Sequence, residues 1–276
     1  MQVILALCVR NLKNFVRNRT GLILSIVFPF FFIWVFSELF SLFVAENPIT
    51  FMLAGIVIAT VFDVSLRLSS STIDDMASGF MKEVLVSPIS RIGVATGQFA
   101  SSAIIATIQG IILCIGGIVL GFRVTSFTTV VYIIVAMIIV GLVFAGFGLF
   151  IASNTKNTQT FQVVSMAITM PMTFLSGAYI PLSVIPNILQ YIAWFNPLTY
   201  AVSLFRIISL ERLNDSAEAL YADGLAIKIG EYIVMPHVSA LILIVFGTLF
   251  LLLSTITFAK TDFSRMSRNV GDSIEW

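Results

Sequence analysis

The chain has 276 residues, 58% of them hydrophobic and only 11% charged, with a mean hydropathy of +1.04. Soluble domains average roughly 45–50% apolar and about 25% charged residues, so this composition excludes an ordinary water-soluble enzyme and makes lipid the main solvent. Fifteen Lys and Arg against fourteen Asp and Glu leave a net charge of +1, too little to draw in nucleic acid or an anionic substrate.

At the start of the chain Val3, Ile4, Leu7, Leu12, Phe15 and Val16 recur every three to four positions, while Arg10, Lys13, Asn14 and Arg17 take the other side. The pattern predicts a helix lying in the membrane interface with its basic face toward anionic headgroups; the alternative is a basic flank that only sets topology. A bilayer core about 30 Å thick asks for about 20 apolar residues per helix. Apolar runs cover 21–44, 49–68, 92–120 and 130–152, then 161–174, and finally 238–259. Between the last two, Gly177, Pro181, Pro186 and Pro197 interrupt a stretch that stays apolar. Irregular backbone at membrane depth is tolerated only where protein or a water-filled cavity satisfies it, so short re-entrant helices are expected there, as a lid on a path or as a plain interfacial cap. The fold class expected is an all-α polytopic membrane protein, one domain over 1–276. Its parts are an interfacial helix (1–19), spans one and two (20–69), a cytosolic loop (70–91), spans three to five (92–174), a re-entrant and external segment (175–236), span six (237–259) and a tail (260–276).

With the N-terminus inside, eleven of the fifteen basic residues fall on the inner face, leaving Arg123, Arg206, Arg212 and Lys228 outside. That bias predicts cytoplasmic termini. In the loop, Ser71 or Thr72 is expected to cap a short helix whose N-terminal dipole Asp74 and Asp75 complement. Phe80, Met81, Val84 and Leu85 form an apolar ridge that Pro88 stops. Such a ridge needs burial, against the membrane or another protein, unless the loop is a passive connector. Asp63 and Arg67 stand four apart and are expected to form an intramembrane pair near the cytosolic end of the second span, as a structural pair or a snorkelling Arg67, or as a proton-coupling site. Cys8, Cys114 and the lone His237 offer neither a disulfide framework nor a metal cluster, so no metal site is expected.

The run from Phe174 to Pro181, then Ile185-Pro186, Trp194-Phe195-Asn196-Pro197-Leu198-Thr199-Tyr200 and Phe205-Arg206, together with the loop Gly79-Phe80-Met81-Lys82-Glu83-Val84-Leu85-Val86-Ser87-Pro88-Ile89-Ser90-Arg91, resembles the membrane subunit of bacterial ABC-2 type ATP-binding-cassette exporters. The loop is similar to that of daunorubicin-resistance-like drug permeases, although Lys82 stands where many members carry a glutamate. The resemblance spans nearly the whole chain and implies the fold of a type V exporter transmembrane domain in the bacterial inner membrane.

Further expectations come from the resemblance. Asp74, Asp75, Gly79, Phe80, Met81, Lys82, Glu83, Val84, Leu85 and Pro88 would couple to two copies of a cytosolic ATPase, and ATP with Mg2+ would sit on that partner, not on this chain. A second permease copy or a related permease would complete a path between spans two and five. That path would run past Phe51, Ala54, Ile58, Thr60 and Val61 on one side and Met166, Thr169, Met170, Thr173 and Phe174 on the other, unless these are ordinary packing residues. Gly177, Pro181, Pro186, Asn196 and Pro197 would form an outer gate. Independently of any resemblance, the chain holds no G-x-x-x-x-G-K-[ST] phosphate cradle, so a transport subunit without its own ATPase is expected. Cargo of hydrophobic or amphipathic character suits the methionines and aromatics; polysaccharide export, a membrane-embedded enzyme and an ion-coupled transporter are the rivals.

Overall fold

A computed structural model describes residues 2–40, 48–77, 91–182 and 185–260. Gly79, Phe80, Met81, Lys82, Glu83, Val84, Leu85 and Pro88 lie outside them. The described elements run α1 (Gln2–Arg17), α2 (Arg19–Phe40), α3 (Pro48–Arg67), α4 (Ser70–Ala77), α5 (Arg91–Val119), α6 (Phe127–Asn154), α7 (Thr158–Leu175), α8 (Asn187–Trp194), α9 (Pro197–Ser209), α10 (Ala217–Ala222), a hairpin of β1 (Ile227–Ile229) and β2 (Tyr232–Val234), and α11 (Pro236–Lys260).

By length and hydropathy four described helices are able to cross a membrane, those within 49–75, 92–119, 127–154 and 236–258. A fifth is reached if α1 and α2, which meet at a 73° bend, count as one span. The expected fifth run, 161–174, lies within the helix α7, which is not among the described helices long and apolar enough to cross a membrane. Asn157 accepts from the Thr160 amide at 2.7 Å and starts the helix ahead of the apolar run.

α3 is the axis of the bundle. It packs against α2, α5, α6 and α9, and from Phe51 to Leu66 it shows only Thr60 and Asp63 to the outside. Small residues let its neighbours close in: on α5, Gly110 lies against Val61 and Gly117 against Leu53, so the two helices run antiparallel. The Phe62 and Phe144 rings meet edge to face at 4.4 Å where α3 touches α6. α11 then lies along α6 in the same direction, with Phe147 and Phe250 4.7 Å apart. α2 and α5 also run together, Phe30 lying over Gly116 and the Ser25 carbonyl accepting from Gln109.

α1 lies against α5 instead of being held by lipid alone. Asn11, buried, donates to Gln98 Oε1 at 3.2 Å and to Ser101 Oγ at 2.8 Å. Leu5, Val9 and Val16 stay exposed, as do Lys13, Asn14 and Arg17. α4 follows α3 after a two-residue turn, and the expected cap is corrected: Ser71 Oγ donates back to Leu68 O at 2.8 Å and receives Gln98 Nε2 at 2.9 Å, while Thr72 Oγ1 is buried with no partner among the described residues.

Beyond α7 the chain turns at 176–182 and continues as the short helices α8 and α9. α9 is buried along its whole length. Its N-cap Asn196 accepts from the Leu198 amide and donates to Met172 O at 2.7 Å, which fixes α9 to α7. A small lobe of α10 and the hairpin packs Leu220, Leu225 and Ala226 against Phe51 and Ile207, and Ser203 Oγ donates to Leu225 O.

Candidate translocation path and its two ends

Thr60, Asp63 and Arg67 recur at helical spacing and are the polar stripe of α3. Asp63 and Arg67 pair at 2.8 Å with 38% and 61% of their side chains exposed. Thr60 donates to Ile56 O and so spends its proton inside the helix. Phe51, Ala54, Ile58 and Val61, expected on the path, are buried among neighbouring helices instead. Across from the stripe, α7 shows Met166, Met170 and Phe174, with Met166 67% exposed, and Thr169 half-buried beside them. Thr173 departs from expectation: it is buried, and its carbonyl accepts from Ser176 Oγ at 2.7 Å. Tyr179 joins α7 to α2, its ring 5.4 Å from Phe174 and 4.9 Å from Phe32. The arrangement is an apolar face around the Asp63–Arg67 pair. Among the described residues no three His, Cys, Asp or Glu side chains converge in a way that could hold a metal.

At the Phe51 end, Gly177 adopts φ +83°, a conformation that favours glycine. Pro181, Asn196 and Pro197 are buried and Pro186 is exposed at the start of α8. Arg206, expected on the outer side, is not a solvated surface charge. α9 carries it into the protein, where it is 3% exposed. Its Nε donates to Phe51 O at 3.1 Å, its Nη2 to Gly177 O at 2.8 Å and Ala178 O at 3.1 Å, and its guanidinium carbon sits 3.6 Å from the centre of the Phe51 ring. Among the described residues no carboxylate pairs with it. The signal in the sequence was an arginine inside an otherwise apolar helical run.

At the opposite end, α4 is held from two sides. Arg10 on α1 engages Asp75 with both terminal nitrogens, at 3.0 and 2.6 Å. Thr158 at the start of α7 donates to Asp74 at 2.6 Å. Gln98 on α5 adds a bond to Leu68 O at 3.1 Å. The two acidic residues expected to face a partner are thus bonded within the chain.

A mostly helical bundle with four to five apolar helices long enough to cross a membrane defines a polytopic helical membrane protein. The chain belongs to the ABC-2 type transporter family, whose model matches residues 2–210. That match ends where α9 does. The family supplies the membrane component of an ABC transporter, a permease and not an enzyme, and works with a cytosolic ATPase. The chain is 26% identical over 201 residues to ycf38 of Cyanophora paradoxa, named as a transport permease, covering 70% of this chain and 69% of that one. It is 27% identical over 203 residues to nodulation protein J of Bradyrhizobium diazoefficiens, covering 71% and 72%. It is 28% identical over 157 residues to YbhR of Escherichia coli K12, named as a multidrug ABC transporter permease, covering 56% of this chain and 42% of that one.

Proposed function

We propose that this chain is the transmembrane subunit of an ATP-driven exporter that moves hydrophobic or amphipathic compounds out of a bacterial cell. It lies in the inner membrane with six spans and both termini in the cytoplasm, beside a second copy or a related permease. The observation that carries the reading is the exposed α7 face of Val163, Met166, Met170 and Phe174 beside the Asp63–Arg67 pair. Flexible methionines and aromatic rings adapt to apolar surfaces of varied shape. A saccharide would ask for hydrogen-bonding side chains along the same wall, and between Val163 and Phe174 the exposed face is mostly apolar. The similarity to YbhR, named for multidrug transport, agrees with an apolar cargo.

Work comes from two cytosolic ATPase subunits that hold ATP and Mg2+. They dock on the loop that carries Gly79, Phe80, Met81, Lys82, Glu83, Val84, Leu85 and Pro88, and nucleotide-driven closure tilts the helices between inward and outward access. Asp74 and Asp75 pass that motion on to α7 and α1 through the bonds described above.

The test is co-purification. Phe80→Asp or Leu85→Asp is expected to weaken ATPase capture by on the order of 2 kcal/mol, roughly thirtyfold, with insertion unchanged. Capture at the level of the parent chain would end the docking assignment. Vesicles containing both subunits are expected to accumulate a hydrophobic fluorescent dye only when ATP is supplied, and accumulation by the permease alone would overturn the reading.

A further inference from the structure

The turn at 176–182 is fixed by one side chain from another element. We infer that Arg206 is the positioning residue that latches this turn to α3 and so keeps the outer end of the path shut, a role that rests on the exporter reading given above.

Three observations converge. Arg206 is almost wholly buried, yet its bonds go to backbone carbonyls alone: Phe51 on α3, and Gly177 and Ala178 in the turn. One guanidinium therefore joins three elements, since it is itself borne by α9. The contact is also shaped from the α3 side. A Cβ on Gly55 would come within 2.3 Å of Ala178 O and 2.7 Å of Arg206 Nη2, so glycine there is what lets the turn lie on α3. Finally, Tyr179, next in the chain, joins Phe32 on α2 to Phe174 on α7. Moving the latched turn moves that ring.

The chemistry suits a latch better than a permanent rivet. A cation held dry without a carboxylate keeps much of its desolvation cost, and three carbonyl bonds offset only part of it. When the turn lifts, water replaces the carbonyls around the guanidinium, so recovered hydration offsets part of the loss of the bonds and leaves the latch releasable. A carboxylate at the same place would have locked the turn closed. An apolar residue would have left the Gly177 and Ala178 carbonyls without donors in the closed state.

The test uses the full permease with its ATPase in proteoliposomes, with Cys8→Ala and Cys114→Ala and the buried Ser176→Cys as reporter in the turn. Labelling by a membrane-impermeant maleimide is expected to be slow in the resting protein. Arg206→Met should raise it about tenfold without nucleotide, the change that loss of one charge-assisted bond produces. Gly55→Ala, which leaves the charge in place, should do the same, and Arg206→Lys should recover most of the protection. ATP hydrolysis is expected to persist in both opening variants while dye accumulation falls. Slow labelling in both Arg206→Met and Gly55→Ala would overturn the latch, as would Arg206→Lys behaving like Arg206→Met. If both variants open the turn but ATP never raises labelling of the parent protein, the latch stands and the exporter reading fails.

Discussion

Glu211 has a positive φ, 59°, unlike every other described non-glycine residue. Holding such a residue there costs about 1–3 kcal/mol, and its side chain explains why the turn keeps it. The carboxylate reaches the start of α6 and accepts from the Thr125 and Ser126 amides, each at 3.1 Å, and from the Thr125 hydroxyl. A negative group at a helix N-terminus also faces the positive end of the dipole. The Thr125 hydroxyl first, and then the Ser126 amide, hold the Glu211 carboxyl below its ordinary value of 4.5. The folded state therefore favours the ionised form. This contribution is complete above 4.5 and is lost as pH falls through the lower folded value. The Thr125 and Ser126 amide resonances are expected to hold their positions while pH crosses 4.5 and to move only below it. Glu211→Gln should abolish that titration, and a midpoint at or above 4.5 would refute the assignment. Nothing in the sequence announced Glu211, because its partners lie 85 and 86 positions away. Arg206 was visible as a charge in an apolar run, but its carbonyl partners were not, since backbone acceptors leave no mark in a sequence.

Among the elements, α4 carries the most consequence for its length. It is eight residues long, yet it is bonded to α1 through Arg10–Asp75, to α7 through Asp74–Thr158 and to α5 through Gln98–Ser71. The Arg10 and Asp75 side chains are 29% and 18% exposed, so solvent screening holds the pair to about 1 kcal/mol even with two bonds. Arg10→Glu or Asp75→Arg is expected to lower the thermal midpoint by roughly 3 °C, and the double exchange should restore most of it. Single losses that simply add in the double variant would show that the two residues do not couple. Periodicity and apolar runs made the long helices legible, since lipid demands continuous apolar length and little else does. The expected 92–120 and 238–259 correspond to Arg91–Val119 and Pro236–Lys260. Boundaries shifted where polar caps do the work, as at Ser126 for α6 and Asn157 for α7. The β1–β2 hairpin escaped notice because three-residue strands carry too short an alternation to read.

For the molecule as a whole, the question is what covers the exposed wall of α2 and α7. Val27, Phe28, Phe31 and Trp34 on α2 and Val163, Met166 and Met170 on α7 are exposed apolar side chains, and lipid tails would satisfy them as readily as protein. The Asp63–Arg67 pair breaks the tie. An ion pair on a helix read as a span would be expensive against hydrocarbon and belongs beside water or another polypeptide. A second permease facing this wall would enclose the pair in a shared path. The far side of the bundle offers the contrast: α11 packs on α6 and α9 and turns Leu241, Ile244 and Val245 outward with no charge among them. In a cysteine-free background, Met166→Cys is expected to cross-link between copies in native membranes with a short bifunctional maleimide, whereas Leu241→Cys should remain monomeric under the same conditions. If the two positions cross-link equally the contact is collisional. If Leu241→Cys alone cross-links, the partner sits on α11, and the path lies away from Asp63.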